Sequence, residues 1–189
     1  MPEALLSLVN IACRRGGRLL FDDISLRLEA GEAAVLTGPN GVGKSSLIRI
    51  AAGLLRAAAG TVERGGPAAL ADEAAALDER LTLARALAFW ARIDGGDAEA
   101  GTAAMGLAPL ARAPVRMLST GQRKRAVLAR VIASGARLWL LDEPANGLDG
   151  DGLTRLADAM AAHRARGGAI LAASHQPIGL DDAHMVALA

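Results

Sequence analysis

The sequence predicts an α/β fold whose core is a mostly parallel sheet, with an antiparallel β part at the N-terminus and a small helical insertion. Three observations predict it. Short apolar runs ending at Gly or Asp alternate with longer stretches of helical spacing, the pattern of strands joined by crossover helices. The run Ala33–Thr37 passes through a glycine-rich turn into a helical segment. The run Leu138–Leu141 delivers Asp142 and Glu143 to its C-terminal end, the edge at which open parallel sheets hold ligands.

Taken in order, Leu5–Ile11 and Ile24–Leu28 read as early strands, parted by the turn-forming Arg15-Gly16-Gly17. Ala33–Thr37 is a buried strand ending at Gly38. Lys44–Ala52 is a helix stopped by Gly53. Thr61–Glu63 is a short strand that closes the strand-rich part. From Leu83 to about Leu110 the period changes: Leu83, Leu87, Trp90 and Ile93 recur at helical spacing, and a second helix spans Ala98–Met105. The helical insertion runs over about 83–135, within one domain of residues 1–189. Strand Leu138–Leu141, a helix from about Asp151 to Arg166 and strand Ala169–Ala173 restore the parallel-sheet character.

Composition narrows the function classes. The chain of 189 residues fits one domain without metal or disulfide staples, and its alanine bias reflects genomic base composition. A net charge of +1 gives no polybasic footprint, so nucleic acid is not the expected partner. The single cysteine, Cys13, suits a reducing cytosol and reads as a bystander at a strand end. The longest apolar runs, around Leu138–Leu141 and Ala169–Ala173, fall far short of the ~20 residues that span a bilayer. No basic-then-apolar leader is visible at the N-terminus, so direct membrane insertion is not expected. His163 and His184 read as surface residues.

Gly38-Pro39-Asn40-Gly41-Val42-Gly43-Lys44-Ser45 matches G-x-x-x-x-G-K-[ST] in full, between a buried strand and a helix start. Its glycines let successive backbone N–H groups turn inward around phosphate oxygens, and the helix adds its positive end. Lys44 is expected to bridge the β- and γ-phosphates of a bound nucleotide. The hydroxyl of Ser45, followed by Ser46, is expected to ligate Mg²⁺. Asp142 is suited to hold Mg²⁺ and Glu143 to polarise the attacking water. Alone, the loop would also fit a kinase or a GTPase.

Leu118-Ser119-Thr120-Gly121-Gln122, followed by Arg123-Lys124-Arg125-Ala126-Val127-Leu128-Ala129-Arg130, resembles the signature of ATP-binding-cassette (ABC) ATPases, with Thr120 in place of the first glycine. The resemblance implies the phosphate-loop NTPase fold of that family. It also implies that Ser119, Gly121 and Gln122 cover an ATP bound to a second ATPase subunit. Asn146-Gly147-Leu148-Asp149 resembles the loop that crosses the dimer interface, with Asp149 as its acid. His175 resembles the family's switch histidine at the γ-phosphate. The likeness runs over nearly the whole chain and implies a transport ATPase, peripheral on the cytoplasmic face of the bacterial inner membrane. Its partners would be integral membrane transporter subunits.

Two positions depart from the family's pattern. Its usual adenine-stacking aromatic is missing, since no aromatic precedes Phe21. Counting back from Ile24-Ser25-Leu26 places Arg15 near that position, either stacked on the base or as an exposed turn residue. The family's Mg²⁺-ligating glutamine has Glu73 as its counterpart, with Asp72 beside it, although the count across Ala71–Ala76 can slip by a residue. Phe89-Trp90-Ala91-Arg92, Leu138-Trp139-Leu140-Leu141-Asp142-Glu143-Pro144 and Ser174-His175-Gln176-Pro177 most resemble the haem-exporting subfamily of bacterial cytochrome c maturation. An ABC ATPase of another small transporter, a non-transport ABC ATPase and a nucleotide-sensing module without turnover are the alternatives.

Overall fold

The computed structural model describes residues 4–74 and 76–189. The chain opens with a hairpin of β1 (Leu6–Arg15) and β2 (Arg18–Leu28). Its two-residue turn is Gly16-Gly17, both at positive φ (55° and 80°), which matches the twist of the strands it joins. Then follow β3 (Ala33–Thr37), α1 (Lys44–Ala51), β4 (Ala59–Arg64) and β5 (Ala68–Ala71). The helical insertion holds α2 (Leu83–Asp94), α3 (Ala98–Ala104), two 3₁₀ turns and α4 (Thr120–Ala133). β6 (Leu138–Asp142), α5 (Gly150–Ala165), β7 (Ala169–Ala173) and β8 (His184–Ala187) complete the order.

β1, β2 and β4 form an antiparallel sheet in the order β2-β1-β4, and the other five strands form a parallel sheet ordered β5-β6-β7-β3-β8. The expected fold class is therefore the observed one. β6 and β7 are buried along their whole length, as strands covered on both faces must be. Their alternate residues feed two separate cores. Val35, Trp139, Leu141, Ile170 and Ala172 pack with the helices of the insertion and α5. Leu36, Leu138, Leu140 and Leu171 pack with α1 and the antiparallel sheet.

Several expectations are corrected. β2 begins at Arg18, not Ile24, because two consecutive exposed acids, Asp22 and Asp23, interrupt the apolar alternation. A register irregularity between Leu8 and Ile11 is braced by a hydrogen bond from Asn10 to Asp23, both at positive φ. β5 and β8 were not expected. Both are four-residue edge strands of the parallel sheet, defined by their pairing with β6 and β3. His163 is not a surface residue. It is 6% exposed, its ring stacks on Trp139 at 3.8 Å, and its Nε2–H donates to the Arg137 carbonyl at 3.2 Å.

Candidate active site

The phosphate loop sits where β3 hands the chain to α1. Gly38, Gly41 and Gly43 all take positive φ (135°, 79° and 118°), which turns the backbone back over the start of α1. At Gly43 close packing is the second reason for glycine, since a Cβ there would lie 2.7 Å from the ring of Phe21. Lys44 is buried, and its Nζ donates to the carbonyls of Gly38 at 2.8 Å and Pro39 at 3.1 Å, spanning the loop. Ser45 Oγ donates to Asp142 Oδ1 at 3.0 Å, which joins the helix start to the end of β6.

That strand end holds the second acid. Glu143 adopts a positive φ of 47°, a conformation that costs a non-glycine residue energy. The turn is held by its own N–H, which donates to the Ala173 carbonyl of β7 at 2.9 Å. His175, just past β7, brings Nε2 to 3.3 Å from Glu143 Oε1. The loops after β6 and β7 are further tied by Gln176 Nε2, which donates to Asn146 Oδ1 at 3.3 Å. Lys44, Ser45, Asp142, Glu143 and His175 thus gather at one sheet edge. Among the described residues no three of His, Cys, Asp and Glu cluster to hold a metal unaided. Ser45 with Asp142 is instead the hydroxyl-plus-carboxylate set that Mg²⁺ takes when phosphates and waters fill the rest.

The remaining expected residues lie elsewhere. Ser119, Gly121, Gln122 and Asp149 line a cavity of about 390 Å³ to which no phosphate-loop residue contributes. Ser119 caps α4: its Oγ accepts the Gln122 N–H at 3.3 Å while Gln122 Oε1 accepts the Ser119 N–H at 3.0 Å. Asp149 caps α5 by accepting the Gly152 N–H at 2.8 Å, and it pairs with Arg125. These two contacts, the backbone bond foremost, hold its carboxyl below the usual range.

Residues 21–146 match the ABC transporter family. A cytochrome c biogenesis ATP-binding export protein, CcmA, of Sphingopyxis alaskensis is 59% identical over 181 residues, covering 94% of this chain and 93% of the relative. The chain belongs to the ABC transporter family. The CcmA of Novosphingobium aromaticivorans is 58% identical over 189 residues, covering all of this chain and 97% of the relative. A solved ATP-binding subunit of an ABC transporter superposes with a TM-score of 0.87 at 23% identity, over 97% of this chain and 85% of that one, and shows the shared fold. As a member of this family the chain is an ATPase coupled to transport, within the cytochrome c biogenesis group.

The two residues expected to depart from the ABC pattern, Arg15 and Glu73, lie in different places. Arg15 is exposed at the end of β1, two residues beyond Cys13. Cys13 is buried inside β1, and its thiol hydrogen-bonds Ser46 next to the phosphate loop. Burial pushes that thiol up, while Ser46 and the Arg15 charge oppose it. Glu73 is exposed after β5 and lines a cavity of about 200 Å³ together with Asp72, Lys124, Glu143 and Asn146. Lys124, Arg125 and Phe21 also stand at the site, yet the sequence reading gave them no part in it. For Lys124 and Arg125 the signal was the basic run after Gln122, which an ordinary solvated helix face would share.

Proposed function

We propose that the chain hydrolyses Mg-ATP between two copies of itself and drives the haem-export step of cytochrome c biogenesis. The observation that carries the hydrolytic part is the juxtaposition at one sheet edge: Ser45 bonded to Asp142, and Glu143 facing His175 at 3.3 Å. ATP would lie with its phosphates among the backbone N–H groups of Gly38–Ser46, where Lys44 leaves its loop carbonyls for phosphate oxygens. Ser45 and Asp142 would hold Mg²⁺, which supplies charge neutralisation at the phosphates. Glu143 would accept the proton of the attacking water, and His175 would steady Glu143 and donate toward the γ-phosphate. Arg15, exposed at the end of β1, is the residue we assign to the adenine face.

The second copy would supply Ser119, Gly121, Gln122 and Asp149, and closure of the pair would exclude water around the phosphates. Integral membrane subunits on the cytoplasmic face of the bacterial inner membrane would read that closure and move the cargo. The cargo and location rest on the relatives named as cytochrome c biogenesis export proteins and on the quoted subfamily residues. Lys44→Ala tests the reading. It is expected to weaken ATP binding by about 100-fold or more, abolish turnover and leave c-type cytochromes without haem in a strain carrying only this variant. ATP binding at the unsubstituted level would overturn the site. Normal haem loading in a strain lacking the gene would overturn the cargo.

A further inference from the structure

Four carboxylates bear on one ammonium. Asp72 and Glu73 arrive on the loop after β5, Asp142 and Glu143 at the end of β6, and the half-buried Lys124 of α4 lies in the field of all four. Lys124, Asp72, Glu73 and Glu143 share the walls of the 200 Å³ cavity. The neighbouring cations of α4 are committed elsewhere: Arg123 pairs with Glu79, and Arg125 with Asp149 and Asp151. Some of the acids also have partners. Asp72 lies 3.7 Å from Arg49, Asp142 accepts from Ser45, and Glu143 faces His175. Glu73 shows no such partner among the described residues; Arg123 and Lys124 both line its cavity, and Arg123 is paired with Glu79. Like charges sharing a small cavity drive its walls apart unless an opposite charge lies between them. Burial pulls the Lys124 ammonium down, and the carboxylates, Asp142 and Glu73 foremost, push it back up.

We infer that Lys124 is a positioning residue for hydrolysis: its fixed positive charge offsets the carboxylate of Glu73 and keeps Glu143 in place beside it. Arg123 pairs with Glu79, and Lys124 shares a cavity wall with Glu73, so two successive cations of α4 serve acids of the segments around it. The inference rests on Glu143 being the hydrolytic carboxylate.

The test is a charge-neutralisation cycle on the full chain, reading kcat, KM for ATP and thermal melting. Lys124→Met is expected to lower kcat at least tenfold with KM changed less than twofold, and Lys124→Arg to retain most of the rate. Glu73→Gln introduced into Lys124→Met is expected to recover at least half of the lost rate in logarithmic terms, because the unmatched carboxylate is then gone. If Lys124→Met does not fold, Lys124→Gln, neutral but still polar at its end, takes its place. Unchanged kcat in the neutral variant, or failure of Glu73→Gln to recover rate, overturns the inference. Turnover surviving in Glu143→Gln sinks the underlying reading instead, whatever Lys124 does.

Discussion

His163 and His175 carry the same ring to opposite uses. His175 is exposed at the sheet edge opposite Glu143, whereas His163 is sealed against Trp139. Burial dominates His163 and lowers its pKa from 6.5 to about 4, with the Ala169 and Arg137 backbone pulling weakly the other way. The consequence has a definite sign. Above pH 6.5 both folded and unfolded chains hold the ring neutral, so its contribution to stability is complete. As pH falls from 6.5 towards 4 the unfolded chain takes up a proton that the folded one refuses, and stability is lost. Between pH 7.5 and 5 the loss should be about 2 kcal/mol, the linkage value for a buried ring shifted this far. Urea unfolding at the two pH values should show it, and His163→Phe should remove that slope. The Asp182 carboxyl, held at about 2 by Arg164, acts in the same direction but only below its ordinary range, so the two effects separate. An equal slope in His163→Phe would assign the effect to other groups.

At the scale of elements, the N-terminus of α4 has two duties that can be measured apart. The reciprocal bonds of Ser119 and Gln122 cap the helix, and losing such a cap costs about 1 kcal/mol. Ser119→Ala should therefore lower the urea midpoint modestly. It should also lower ATP turnover by about tenfold or more at temperatures where the protein stays folded, because the exposed hydroxyl is assigned to a phosphate held by another copy. If turnover stays normal despite the lost stability, Ser119 is a cap only. Legibility in the sequence follows the same divide between local and distant causes. β3, β6 and β7 could be read because a strand buried on both faces is apolar throughout, and the phosphate loop because its spacing is contiguous. Edge strands β5 and β8 could not be, because their pairing partners and not their own patterns define them. His163 was misread because Trp139, which buries it, lies on another element. Lys124 went unassigned because its carboxylates come from two segments far away along the chain.

At the scale of the whole molecule, the residues assigned to ATP fall into two separate groups. One copy brings the phosphate loop, Asp142, Glu143 and His175 together, while Ser119, Gly121, Gln122 and Asp149 surround a different cavity. A single copy therefore offers the α4 N-terminus, with its partial positive charge, to no phosphate of its own. A second copy related by two-fold symmetry would satisfy both faces at once, since each supplies what the other lacks. Glu143→Gln separates closure from chemistry: it keeps the side chain's size and its place beside His175 but removes the base. With Mg-ATP this variant should run at twice the monomer mass in light scattering, with turnover reduced by about 100-fold or more. With ADP it should return to the monomer, because no γ-phosphate remains for Ser119 and Gly121 to cover. Lys44→Ala, carried in parallel, should stay monomeric with either nucleotide. A Glu143→Gln variant that binds ATP yet remains monomeric at every concentration would show that the two cavities are not halves of one site.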